Sequence, residues 1–148
     1  MNLRAVWLGL AFAGVVLTAG GCDLVFEPEI TAVTRLFASL PTGDDRVIRE
    51  FCDGEKVCTG LKRLGGVVRS EWYNRHGKYY EVVEAEIDEE GGYSYVHVNV
   101  RMPAGDGKKE TMLPMVFEME RIKLRWHIYR VQGLDDFLKR AERARSIL

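Results

Sequence analysis

Tyr95-Val96-His97-Val98-Asn99-Val100-Arg101-Met102 is the stretch that decides the fold. Val96, Val98, Val100 and Met102 point one way, and Tyr95, His97, Asn99 and Arg101 point the other. Strict alternation of this kind marks a strand with one face on a core and the other toward water. Its neighbours repeat the period. Upstream, Tyr79–Asp88 sets Val83, Ala85 and Ile87 against Glu84 and Glu86, and Glu89-Glu90-Gly91-Gly92 makes a hairpin turn. Downstream, Pro103-Ala104-Gly105-Asp106-Gly107 is a loop, and Thr111–Glu120 places Leu113, Met115, Phe117 and Met119 on one face. Pro114 within that run points to an edge position or a bulge, because it has no N–H for a ladder. Leu124, Trp126 and Ile128 form the core face of the last strand, closed by Gly133. Val67–Tyr73 is a further candidate strand, ending at the turn-like Asn74-Arg75-His76-Gly77.

Ahead of the sheet the period is helical. Pro28 suits a first helical turn, and Ile30, Val33, Leu36, Phe37 and Leu40 recur at helical spacing until Pro41. After the turn Thr42-Gly43-Asp44, Val47, Ile48 and Phe51 mark a second short helix. Val57, Leu61 and Leu64 mark a third, stopped by Gly65-Gly66. Beyond the sheet, Asp135 and Asp136 open a final helix whose end is basic (Lys139, Arg140, Arg143, Arg145), matched to the helix dipole at both ends. Helices followed by an antiparallel meander of four or five strands give an α+β order. The expectation is N-terminal helices packed on a curved, cone-like sheet, with a C-terminal helix.

The first residues carry an address rather than a fold. Met1-Asn2-Leu3-Arg4 holds one cation, and Ala5 to Gly21 holds no charged residue. A basic start, an apolar run and small residues at its end make a secretory signal peptide. The alternative is an uncleaved membrane anchor, but the run sits at the lower limit of the ~17–25 residues needed to span a bilayer. The end of the run, Leu17-Thr18-Ala19-Gly20-Gly21-Cys22, resembles the lipobox of bacterial lipoproteins, with Ala19 standing where Leu is commonest. That resemblance implies removal of residues 1–21 and a diacylglyceryl thioether on Cys22, the acylated first residue of the mature chain. The partner would then be a lipid bilayer. Asp23 resembles the residue that retains lipoproteins in the inner membrane of enteric bacteria, which favours the inner membrane facing the periplasm over the outer membrane. Residues 22–27 would be a short tether, 28–133 the domain and 134–148 the C-terminal helix.

Composition fits an ordinary folded domain. Of 148 residues, 29% are charged and four are proline, and the formal net charge is −1, which argues against nucleic acid as an electrostatic partner. With Cys22 assigned to lipid, Cys52 and Cys58 remain as an even pair. In an oxidising compartment they read as a disulfide around Asp53-Gly54-Glu55. A redox or metal pair is the competing reading, but five intervening residues are not the C-x-x-C spacing and no histidine lies near in sequence.

Leu61-Lys62-Arg63-Leu64-Gly65-Gly66-Val67-Val68, the long alternating strands and the late Arg125-Trp126-His127-Ile128 resemble uncharacterised lipoproteins with a nuclear transport factor two-like (cystatin-like cone) domain. In those, a helix ending in Gly-Gly leads into the sheet and a Trp-x-Ile strand fills the cone. The resemblance spans about residues 28–133, with Leu124-Arg125 replacing the usual Gly-Lys before the tryptophan. It implies Phe37, Trp72, Phe117 and Trp126 as pocket- or core-lining residues. Some cone folds are isomerases or dehydratases, which need a carboxylate or histidine in an apolar pocket opposite hydroxyl donors. No donor tyrosine stands on the first helix, and the inward faces carry no Asp, Glu or His. The opposite face carries Tyr95, His97, Asn99, Arg101, His127 and Tyr129. These read as the water-facing side of a half-buried sheet, or as an acid/base patch or weak metal site if they converge. The set Trp72, Tyr79, Tyr80, Tyr93 and Tyr95 reads as strand packing or a pocket lining. The basic end of the last helix reads as a solvated face or a contact for anionic lipid. The expected role is non-catalytic: binding a small apolar ligand or an envelope protein, with self-association through the outer sheet face open to the superfamily. No cofactor and no metal are expected. An isomerase- or dehydratase-like enzyme using the His/Tyr face is the second reading.

Overall fold

The computed structural model describes residues 27–70, 73–74, 77–102 and 111–145. Among these, helices α1 (Glu29–Ser39), α2 (Arg46–Phe51) and α3 (Glu55–Val68) precede strands β1 (Tyr80–Ile87), β2 (Tyr93–Met102), β3 (Thr111–Ile122) and β4 (Arg125–Gln132), and helix α4 (Leu134–Arg145) follows. The strands form one antiparallel sheet in the order β1-β2-β3-β4, open at both edges rather than closed into a barrel. The architecture is α+β, as the order of periods predicts.

One face of the sheet carries the core. Val96, Val98, Val100 and Met102 of β2 and Met115, Phe117 and Met119 of β3 are buried there with Trp126 and Ile128 of β4. α1 lays Ala32, Val33, Leu36 and Phe37 against them. The Phe37 ring stacks on Tyr80 at 4.7 Å and meets Phe117 edge-on at 5.5 Å. Full burial of such a side chain contributes about 1.5–3 kcal/mol, so this stripe fixes the helices on the sheet. α4 buries Leu134, Phe137, Leu138 and Ala141 and rests on α3. Cys52 and Cys58 form a disulfide.

Four expectations are corrected. α3 does not stop at Gly65-Gly66 but runs on to Val68, so the described part of Val67–Tyr73 is not a strand. Gly65 is buried there against Leu40: a Cβ on it would make ordinary contact, 3.6 Å from Leu40 Cδ2 and 3.7 Å from its carbonyl oxygen. Burial of both Val67 and Val68 then outweighs the low helix propensity of the Gly pair. Val83 is 54% exposed, because a bulge between Val82 and Glu84 shifts the register and turns Val82, not Val83, to the core. Ile87, at the end of the same strand, is also exposed. Leu124 lies outside the core, in the turn between β3 and β4. Pro114 is accommodated as its chemistry requires: β4 pairs with β3 only from Val116 onward, so at Pro114 the strand has a partner on one side.

Candidate functional site

The disulfide ties the C-terminal end of α2 to the first turn of α3, with the two Cα atoms 5.2 Å apart. It holds Cys52 in a parallel bridge to Ile128, and the Asp53 N–H donates to the Ile128 carbonyl at 2.8 Å. The free edge of β4 is therefore covered at Ile128. Beyond it, from Tyr129 to Gln132, the edge borders an open groove of about 860 Å³. Glu55 and Lys56 at the start of α3 and Leu134 and Asp135 at the start of α4 form its other walls. Lys56 Nζ and Asp135 Oδ2 approach to 3.8 Å; both are exposed, so this pair is an easily opened contact rather than a brace.

Behind the groove's lining residues Arg130 and Gln132 lies a carboxylate that is almost out of water. Glu118, only 6% exposed, projects from the outer face of β3. Gln132 Nε2 donates to its Oε1, and Arg130 Nε lies 3.7 Å away. Buried charge persists only when paired and hydrogen-bonded, and these neighbours supply both. A register shift at Glu118/Met119 admits Tyr129 to the same cluster. Its hydroxyl is pushed up to about 12, first by burial and then by the negative charge of Glu118; hydrogen bonds to Tyr95 and Glu118 add to the shift. The Tyr129 ring meets Tyr93 edge-on at 6.3 Å.

The polar face read from the alternation is thus split. Tyr95 and Tyr129 come together over Glu118. His97 stands opposite Val116 and His127 opposite Glu120, on strands that β3 separates. Asn99 and Arg101 pair with Pro114 and Met112, farther toward the other end of the sheet. His97 instead lies beside Glu84 and Glu86; one ligand atom from each falls within 4.8 Å of the others, so this trio is where a metal ion would find donors. All the acidic members are exposed, and Glu86 Oε1 is 4.0 Å from His97 Nε2.

Phe37, Phe117 and Trp126 are fully buried core residues. Tyr79 and Tyr80 belong with them: the buried Tyr79 hydroxyl donates to the Phe37 carbonyl, and desolvation drives its ionisation well above the usual tyrosine range. Tyr93 and Tyr95 are on the outer face. Cys22, Asp23 and Trp72 lie outside the described residues. Sequence reasoning missed the groove, because a parallel bridge between positions 52 and 128 leaves no local pattern. Glu118 had a signal, as the lone charge in Met115-Val116-Phe117-Glu118-Met119.

No protein-family model matches the chain, and no curated protein matches it. A solved structure does: that of a SEC-C motif containing protein from Rhodopseudomonas palustris, with a TM-score of 0.51 at 15% identity, covering 76% of this chain and 89% of that one. At that identity the likeness is one of fold. Among the described residues, no helix is long and apolar enough to cross a membrane.

Proposed function

We propose that this protein is an exported, lipid-anchored envelope protein whose folded part is a non-catalytic binding module. The observation that carries the binding half is the groove beside β4, set against a sheet whose inner face is covered by the protein's own buried side chains. The groove is open, has charged residues among its walls, and is flanked by an edge of β4 that no described strand pairs. Such an edge takes an extended segment by main-chain hydrogen bonds, with alternate side chains read by the walls. Strand β3 separates His97 from His127, the two histidines that the enzyme reading pairs. The anchoring half rests on the uncharged run Ala5–Gly21 and on Cys22 at its end.

The test is photo-crosslinking in intact cells, with a photoreactive residue replacing Lys56 or Lys139 in the groove wall, or Lys78 outside it. A common adduct from the first two positions and none from the third is expected. No adduct from the groove, or the same adducts from all three, would contradict a binding site there.

A further inference from the structure

Arg121-Ile122-Lys123-Leu124-Arg125 forms the β3–β4 tip, which turns through Lys123 and Leu124. Ile122 is 42% and Leu124 43% exposed. Tyr93↔Glu120 is the last pair joining β2 to β3, and the Arg121 N–H still donates to the Gly92 carbonyl at 2.8 Å, so the tip projects past the neighbouring strand from Ile122 onward. Single exposed aliphatic residues are ordinary. Two at one projecting tip, interleaved with cations, lie outside the buried cluster and face water.

The position of the tip supplies the second observation. The Cys52↔Ile128 bridge runs parallel, which brings Glu50 alongside the start of β4, and the charge of Arg125 reaches the Glu50 carboxylate. Glu50 shares Arg35 with Glu27, at 2.8 and 2.9 Å. The first described residue is therefore linked through Arg35 and Glu50 to the end of the molecule that bears the tip. Glu27 follows Cys22 by five residues, a length of chain that spans roughly 17 Å at most. An acyl group on Cys22 would hold this end, and not the opposite one, at the bilayer.

We propose that the β3–β4 tip is a second membrane contact, in which Ile122 and Leu124 enter the headgroup layer of an anionic bilayer while Lys123 and Arg125 engage its phosphates. The inference rests on the lipid-anchored reading above. Cations near an anionic surface attract it and fall silent within a Debye length, so the contact needs the short tether to bring them there. Asp88, Glu89 and Glu90 occupy the neighbouring β1–β2 turn at the same end. They are repelled by the same lipid, which orients the domain with the β3–β4 side down.

The cysteine complement gives a direct experiment. With Cys22 acylated and Cys52–Cys58 bridged, Leu124→Cys supplies a single thiol for an environment-sensitive fluorophore, and Lys78→Cys supplies a control. The full acylated protein is reconstituted in phosphatidylcholine vesicles, or in equal parts of phosphatidylcholine and phosphatidylglycerol, and its intact mass is recorded. The label at position 124 should shift to the blue with phosphatidylglycerol and be quenched by brominated lipid, while that at position 78 should not. Adding Lys123→Gln and Arg125→Gln should lower the docking equilibrium roughly fivefold per cation. An acylated protein whose position-124 label is indifferent to phosphatidylglycerol would overturn the tip contact alone. A protein lacking acyl mass would overturn the anchor, and the tip contact with it.

Discussion

Arg35 is the residue on which the chain's N-terminal end depends. It bonds Glu27 and Glu50 and lies over the Phe51 ring, 4.6 Å from its centroid. The Arg35 hydrogen bond holds the Glu50 carboxyl below its ordinary value of 4.5. A depressed carboxyl stabilises the fold fully above that value and loses its contribution as pH falls through its folded pKa. Acid titration followed by circular dichroism should therefore show wild type losing stability below about pH 4.5 more steeply than Glu50→Gln; equal slopes would contradict the coupling. Ser94 makes the opposite case. It is 0% exposed and its hydroxyl has no hydrogen-bond partner among the described residues. An unsatisfied buried hydroxyl is costly, so Ser94→Ala should raise the urea midpoint, by about 1 kcal/mol in stability. The disulfide closes so short a loop that chain entropy assigns it about 2 kcal/mol. Cys52→Ser with Cys58→Ser should lose that much in urea, and should first expose the Asp53 amide to hydrogen exchange, because Asp53 donates to Ile128.

At the scale of elements, the joint between β4 and α4 is the most constrained. Gly133 has φ of 81°, and a Cβ there would stand 2.6 Å from the Pro114 carbonyl oxygen. Gly133→Ala thus combines the left-handed penalty of about 1–2 kcal/mol with a backbone clash. A loss in urea well above 1 kcal/mol is expected, and a neutral result would mean that β3 yields at Pro114. β2 was fully legible: its two faces fall where alternation puts them, because its ladder to β3 is unbroken and the bulge in its ladder to β1 lies on β1. β1 was half legible. Its bulge at Val83 inverts part of the pattern, and bulges leave no mark in a run such as Val82-Val83-Glu84. α3 was misread at its end because Gly-Gly ordinarily stops a helix, whereas here the helix runs on and buries Val67 and Val68. Leu124 continued an alternation that the turn had already ended, and the resulting exposure is what draws attention to the tip. Of the candidate site, only the disulfide and the Tyr95 and Tyr129 positions could be read from the chain. Their convergence on Glu118, and the groove beside it, depend on contacts far apart in sequence.

For the whole molecule, the proposed anchor would lie at one end, with the groove and the basic, apolar tip on the folded part. Acyl chains contribute about 0.8 kcal/mol per buried methylene, so a diacylated Cys22, as proposed, would suffice to hold the protein, and the tip contact would govern orientation rather than attachment. A domain so oriented would present β4 and its groove at a fixed height above the bilayer, within reach of an extended segment of the proposed envelope partner. The measurement that tests this most directly is the intact mass of protein extracted from membranes in detergent, with alkylation before and after reduction. The account predicts a chain beginning at Cys22 with added acyl mass, taking up alkyl groups at Cys52 and Cys58 only after reduction. An uncleaved chain without acyl mass, alkylated at both cysteines before reduction, would contradict it.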